Sequence, residues 1–315
     1  LINYYNNNNM SFDASDYAKQ LYEIIHQKPK DDNKLIKLVT SRTKDERLKI
    51  RSEYESNYNT DLIKEIQDNY KFNFKEVLVG LFYSPIDYDC YHILKAVKGL
   101  GTDEMALIEI LTTRTKEDIK NMISRYKEMY PGRDMIADIK DDTSGNFWNI
   151  LNALLEGKRS DNKNPDMEEC KKIVEDLLQP AANKQNHVEK YIKVFTEKSK
   201  EEIEMIGKIY HKMTQSNILH DIQKNFSGDT KNALVGIIYG MLSPPEYFAK
   251  LIYEAIKGLG TNDTTLIRVL ITRDEIDMPS IKQYYRHMYN KDMINDIIGD
   301  TSGSYQKILV ELATH

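Results

Sequence analysis

Two copies of a glycine turn, Lys98-Gly-Leu-Gly-Thr102 and Lys257-Gly-Leu-Gly-Thr261, are each followed far along the chain by the same tail, Asp142-Thr-Ser-Gly145 and Asp300-Thr-Ser-Gly303. Gly99 precedes Asp142 by 43 residues, and Gly258 precedes Asp300 by 42. Glycine takes positive φ at little cost, so such a turn can point several backbone carbonyls outward together. Neutral carbonyls joined by one distant carboxylate make an all-oxygen shell. That shell suits Ca²⁺, which accepts about 6–8 flexible oxygen ligands, better than Mg²⁺, which demands a strict octahedron. The chemistry indicated is divalent-cation binding at a split site.

Stepping along the chain, Ser41-Arg-Thr-Lys-Asp-Glu46, Thr113-Arg-Thr-Lys-Glu-Asp118, Thr196-Glu-Lys-Ser-Lys-Glu201 and Thr272-Arg-Asp-Glu-Ile276 recur every ~72 to 84 residues, a period that marks four repeated units. Each unit closes on an apolar stretch, such as Val77-Leu-Val-Gly-Leu-Phe82 or Ala233-Leu-Val-Gly-Ile-Ile238. The expected organisation is a disordered polar leader at 1–12, repeats at 13–84 and 85–156, a polar turn-rich linker at 157–165, and repeats at 166–243 and 244–315. The linker divides the repeats two and two.

Within a repeat the apolar residues fall at helical spacing, as in Leu107, Ile108 and Leu111, matched by Leu266, Ile267 and Leu270. Alternating strand patterns are absent, so the fold class is all-α, with several short helices per repeat. Thr43 with Glu46 and Ser199 with Glu202 fit capping boxes. Thr102 and Thr261 are expected to cap the helices that follow the glycine turns, with Asp103, Glu104 and Asp263 favouring those N-termini electrostatically.

The first and third repeats act as internal controls. Their corresponding turns are His26-Gln-Lys-Pro-Lys-Asp-Asp32 and Gln179-Pro-Ala-Ala-Asn-Lys184, and the residues in register with Asp142 are Asn69 and Asn225. Turn glycines and distal carboxylate are lost together while the apolar helical pattern survives. A shared ligand explains that joint loss; a purely structural role for each does not.

Bulk properties narrow the partners. Forty-four Lys and Arg against 49 Asp and Glu give a net charge of −5, which lacks the basic footprint of a nucleic-acid binder. An anionic membrane should repel such a chain unless a cation bridges the two. The 2 cysteines, Cys90 and Cys170, form no disulfide framework and match a reducing compartment, the cytoplasm. No apolar run approaches the ~20 residues of a membrane span, and the N-terminal stretch lacks the order of a secretory signal. Asp-Thr-Ser-Gly is not an aspartic-protease loop, because serine intervenes before the glycine and the flanks are helical. Neither histidines nor cysteines fall at zinc-ligand spacing, and no nucleophile–base pairing is visible, so an enzyme is not expected.

Four repeats of this length, the Lys-Gly-x-Gly-Thr string, the Asp-Thr-Ser-Gly tail and the Thr-Arg-Thr segments resemble the annexin family over nearly the whole chain after residue 13. The resemblance implies four repeats of about five helices each, forming a slightly curved disc with its Ca²⁺ loops on the convex face. It implies Ca²⁺ ligation by the carbonyls of Val97, Gly99 and Gly101 with the carboxylate of Asp142, and by those of Ile256, Gly258 and Gly260 with Asp300. A one-residue expansion near Pro131-Gly132 leaves Asp141 as the alternative to Asp142. Glu104 and Asp263 would support weaker accessory sites. The implied function is Ca²⁺-dependent binding to anionic phospholipid membranes by a cytoplasmic, reversibly peripheral protein. The alternative is a cytoskeletal or membrane-scaffold adaptor with vestigial Ca²⁺ dependence, whose partners are proteins. Asp89, Glu109, Arg114 and Arg268 lie where annexins line a polar channel between the two halves; ion pairing is the expected role for such charges.

Overall fold

The computed structural model describes residues 12–180, 183–258 and 260–315. Those residues are 77% helical, in twenty helices with no strand among them. The first repeat contains α1 (Ala14–His26), α2 (Asp32–Thr40), α3 (Lys44–Tyr58), α4 (Leu62–Asn69) and α5 (Phe72–Leu81). The second has α6 (Pro85–Val97), α7 (Glu104–Thr113), α8 (Lys116–Met129), α9 (Met135–Asp142) and α10 (Gly145–Leu155). The third has α11 (Met167–Leu178), α12 (Lys184–Glu197), α13 (Lys200–Thr214), α14 (Ile218–Asn225) and α15 (Gly228–Leu242). The fourth has α16 (Pro244–Ile256), α17 (Asp263–Arg273), α18 (Met278–Tyr289), α19 (Met293–Asp300) and α20 (Gly303–Thr314). Apart from Phe12, whose ring stacks on Tyr17 at 5.6 Å, the expected leader lies outside the described residues.

Capping sets the third helix of each repeat. Thr43 with Glu46 and Ser199 with Glu202 form the expected reciprocal boxes, and Thr115 with Asp118 forms a third in which the shorter carboxylate does the same work. At α18 the box is gone; Pro279 enters the first turn instead, and Arg273 holds the preceding Asp277 by paired bonds of 2.8 and 2.7 Å.

The repeats do not divide at 157–165. One compact unit joins the first repeat to residues 251–315, and the other spans 85–250. In the first unit α5 packs on α17 and α20, and α2 packs on α20. In the second, α15 lies along α7 closely enough that a Cβ on Gly240 would sit 2.8 Å from the Thr112 carbonyl oxygen. The polar 157–165 segment is bound within this unit: Ser160 N–H donates to the Glu197 carbonyl at 2.7 Å, Arg159 to that of Lys198 at 2.8 Å, and Ser199 Oγ to that of Asn162 at 2.7 Å. Polarity marked an ordered strap, because its polar groups bond the end of α12 and the Lys198–Ser199 junction before α13.

One tie recurs in every repeat and positions the fourth helix. Tyr54, Tyr126, Tyr210 and Tyr285 donate their hydroxyls to Glu65, Asp138, Asp221 and Asp296 at 2.6, 2.7, 2.8 and 2.7 Å. Burial, then the carboxylate, pushes each phenol above its ordinary range.

Candidate functional site: two glycine loops and their distal acids

Each glycine loop is a closed ring of backbone. Asp103 N–H donates to the Ala96 carbonyl at 2.9 Å, and Asn262 N–H donates to that of Ala255 at 2.7 Å, so each loop leaves and re-enters through a fixed neck. Within the loops Gly99 and Gly101 have φ of +123° and +86°, and Gly258 and Gly260 have +100° and +87°. Side chains rarely adopt these angles, so glycine is required for conformation; nothing lies within 4 Å of where a Cβ would be. Leu100, between the first pair, is fully exposed.

The distal acids come to these loops. Thr102 Oγ1 lies 3.1 Å from the Asp142 carbonyl oxygen and 3.4 Å from its carboxylate, and Thr261 Oγ1 lies 3.4 and 3.3 Å from the same atoms of Asp300. These threonines were expected as helix caps. The caps are instead Asp103, which accepts from Ala106 N–H at 3.0 Å, and Asn262, which accepts from Thr265 N–H at 3.0 Å. A residue one place earlier is free to reach across because its successor's carboxylate or amide oxygen already satisfies the orphan amide.

The tyrosine tie resolves which acid faces the loop. Asp142 ends α9 four residues after Asp138, just as Asp300 ends α19 four residues after Asp296. The extra residue at Pro131-Gly132 is absorbed before Asp138, where the Tyr–carboxylate separation is 12 in the second repeat and 11 in the fourth. It is Asp142, not Asp141, that bonds to Thr102. Behind each acid the next threonine turns back to its own helix: Thr143 Oγ1 donates to the Ile139 carbonyl at 2.7 Å and Thr301 Oγ1 to that of Ile297 at 2.6 Å.

The accessory positions differ between the loops. Asp263 accepts from the Tyr305 hydroxyl at 2.7 Å, whereas residue 147, in register with Tyr305, is a phenylalanine with no hydroxyl to offer Glu104. No cluster of three or more His, Cys, Asp or Glu side chains among the described residues is placed to hold a metal. A shell drawn mainly from backbone carbonyls has no such signature.

The first repeat closes its loop by other means. Lys30, directly before the α2 cap Asp31, sends its ammonium to the Ile25 carbonyl and, at 2.9 Å, to Asn69 Oδ1. Ile25 precedes the last residue of α1, and Asn69 ends α4 in the register of Asp142. Burial, then Lys28, lowers the Lys30 pKa. Sequence reasoning passed over this lysine, although it stands in register with Thr102 as the one basic residue there.

Of the charged residues noted on helical faces, Asp89 on α6 and Arg114 form a two-bonded pair, 2.6 and 2.9 Å, inside the second unit. Glu109 and Arg268 are buried.

A family model described as Annexin matches residues 16–81, 88–154, 174–237 and 247–312. The chain is 33% identical to Homo sapiens annexin A7 over 303 residues, which is 96% of this chain and 62% of that protein. It is 34% identical to Homo sapiens annexin A4 over 302 residues, 96% of this chain and 94% of that protein. The chain thus spans about three fifths of annexin A7, the first of these relatives. Among solved structures, annexin III superposes with a TM-score of 0.90 at 27% identity, covering 100% of this chain and 96% of its own. A calcium-bound annexin (Sm)1 superposes with a TM-score of 0.83 at 27% identity, covering 96% and 91%.

Proposed function

The chain belongs to the annexin family, and on that premise we propose that it binds anionic phospholipid membranes in a Ca²⁺-dependent manner through the loops of its second and fourth repeats. The observation that carries this reading is the pairing, twice over, of a positive-φ glycine loop with a carboxylate held beside it by a threonine. In the second repeat the donors would be the carbonyls of Val97, Gly99 and Gly101 with the Asp142 carboxylate; in the fourth, those of Ile256, Gly258 and Gly260 with Asp300. Glu104 and Asp263 would serve as weaker accessory donors, Asp263 the less so because Tyr305 already occupies one of its oxygens.

These donors fit a hard cation. The loop oxygens are neutral and each site has one carboxylate, so the protein provides only part of a shell. Calcium, when bound, supplies the positive charge that lets an acidic protein approach an acidic surface. The exposed loops leave room for lipid phosphate oxygens to complete the shell, so ion and lipid should bind with positive linkage. The Thr–Asp contact keeps each acid beside its loop.

Sedimentation with phosphatidylserine vesicles tests the reading. The protein should pellet at about millimolar Ca²⁺, the range of weak extracellular-type sites, and stay in the supernatant with chelator. Pelleting that ignores chelator, or no pelleting at all, would favour a protein-binding adaptor instead.

A further inference from the structure

Every repeat begins its fifth helix with a residue at positive φ. In three of them it is glycine: Gly145 at +59°, Gly228 at +57° and Gly303 at +64°. In the first repeat it is Phe72, at +53°. A bulky side chain in the left-handed region is a genuine outlier, and such strain persists where the residue serves something other than the fold.

Packing does not explain Phe72, which is 85% exposed. Its neighbours two residues either way, Tyr70 and Phe74, are buried and meet edge-on at 5.7 Å, so the core is filled without it. The flanking Lys71 is exposed, as is Lys28 in the adjoining loop. Lys30, whose ammonium bonds Asn69, also lies over the Tyr70 ring at 5.1 Å. The nearby acids are engaged: Asp31 caps α2, and Asp32 accepts from Ser304 at 2.5 Å.

That last bond fixes the location. Ser304 follows Gly303, the counterpart of Phe72, and lies four residues after Asp300. Together with Lys307 Nζ on Asn33 at 2.9 Å, it sets the first repeat's loop beside the distal-acid end of the fourth repeat's cation site, within one compact unit. An exposed aromatic flanked by lysines is the composition of an interfacial anchor at an anionic bilayer.

We propose that the first repeat contacts the anionic bilayer without an ion of its own, with Phe72 as an apolar anchor in the headgroup region and the Lys30 ammonium in place of a bound cation in its loop. The proposal rests on the membrane-binding reading above. Where the glycine loops present oxygen to a cation, this repeat presents an apolar ring and fixed positive charge.

Two variants test it on vesicles of equal parts phosphatidylserine and phosphatidylcholine. Phe72→Gly restores the residue of the other repeats, so its thermal midpoint should hold or rise while its vesicle affinity at fixed Ca²⁺ falls roughly tenfold. Phe72→Cys can be labelled selectively with an environment-sensitive NBD fluorophore, because Cys90 and Cys170 are buried. The label should shift to the blue, and be quenched by lipid-borne quencher, when the protein binds. Unchanged affinity of the glycine variant, a fall in its midpoint along with its binding, or a label that stays aqueous on bound protein would each overturn the proposal. Failure of the unmodified chain to pellet with Ca²⁺ would instead strike the reading on which the proposal rests.

Discussion

The first and fourth repeats hold the same five-helix order, and their junctions between first loop and fourth helix lie in one compact unit, yet they close that junction with different chemistry. In the fourth, Thr261 reaches Asp300, leaving a carboxylate beside a loop whose two glycines have positive φ. In the first, Lys30 reaches Asn69 and a helix-end carbonyl, so a side-chain ammonium bridges loop and fourth helix. On the reading proposed above, the fourth repeat would recruit a cation at this junction, whereas the first carries its own positive charge there in Lys30. In the first repeat the amide Asn69 accompanies that lysine, whereas the third repeat has the amide Asn225 without a lysine in the same register.

The hardest test of the comparison removes the recruited cation's anchor. Asp142→Asn with Asp300→Asn should lower Ca²⁺-dependent vesicle sedimentation by about 10²-fold or more, because two weak contacts on one protein act with high effective concentration. Its helical circular dichroism should match the parent. Undiminished sedimentation by this pair would falsify the assignment of the distal acids.

A smaller loss is expected from Gly99→Ala. At a φ of +123° even alanine is strained, so the loop must reshape, and Ca²⁺ affinity measured by calorimetry should fall about tenfold at that loop. The thermal midpoint should barely move, since the added methyl meets nothing. A large drop in midpoint without a change in affinity would turn the glycine into a folding residue.

The tyrosine ties allow a matched contrast. Tyr285→Phe and Tyr210→Phe each remove one buried hydroxyl bond and should each cost about 1–2 kcal/mol in urea unfolding. Only the first should also weaken Ca²⁺ binding, because α19 ends in Asp300 while α14 ends in Asn225. Equal effects on Ca²⁺ would break the link between fourth-helix placement and the site.

Lys30→Met sharpens the other side. Losing two bonds to a half-buried ammonium should cost about 1 kcal/mol of stability, with the Ca²⁺ stoichiometry from equilibrium dialysis unchanged. A gain of bound Ca²⁺ at that loop would mean that the lysine blocks a site rather than replacing it.

The smallest effect concerns pH. Asp134 caps α9, the helix that ends in Asp142, and the Ala137 amide, then Lys127, hold its pKa below the ordinary 3.8. Its contribution is complete above that value and is lost as pH falls through the lower folded pKa. Amide exchange across α9 should therefore quicken only in strong acid, and Asp134→Asn should flatten that dependence.

Much of this was legible in residue order. Periodic leucines and isoleucines gave helices, and Thr43–Glu46 and Ser199–Glu202 gave real starts, because both depend on neighbours within a turn. The glycine loops and distal acids stood out because two copies could be compared with two that had lost them. What failed to show was set across distance. Pairing of the first repeat with the fourth depends on the faces of α5, α17 and α20, and the polar 157–165 strap gave the opposite impression. Thr102 looked like a cap because residues before a helix usually are; only the fold reveals that Asp103 has taken that role. Phe72 did not stand out in the residue order; only its positive φ in the fold shows that it occupies a position where the three other repeats keep glycine.

The tyrosine that holds the fourth helix is present in all four repeats, including the two whose loops have no glycines and no distal acid. Scaffold and ligand set are therefore inherited separately: a repeat can change what it offers at the end of that helix by a single carboxylate-to-amide exchange, and the frame that presents it does not register the change. On the membrane-binding reading proposed above, such a protein could tune how many ions a membrane encounter requires without risking its fold, so that the threshold at which it responds would be free to drift one repeat at a time.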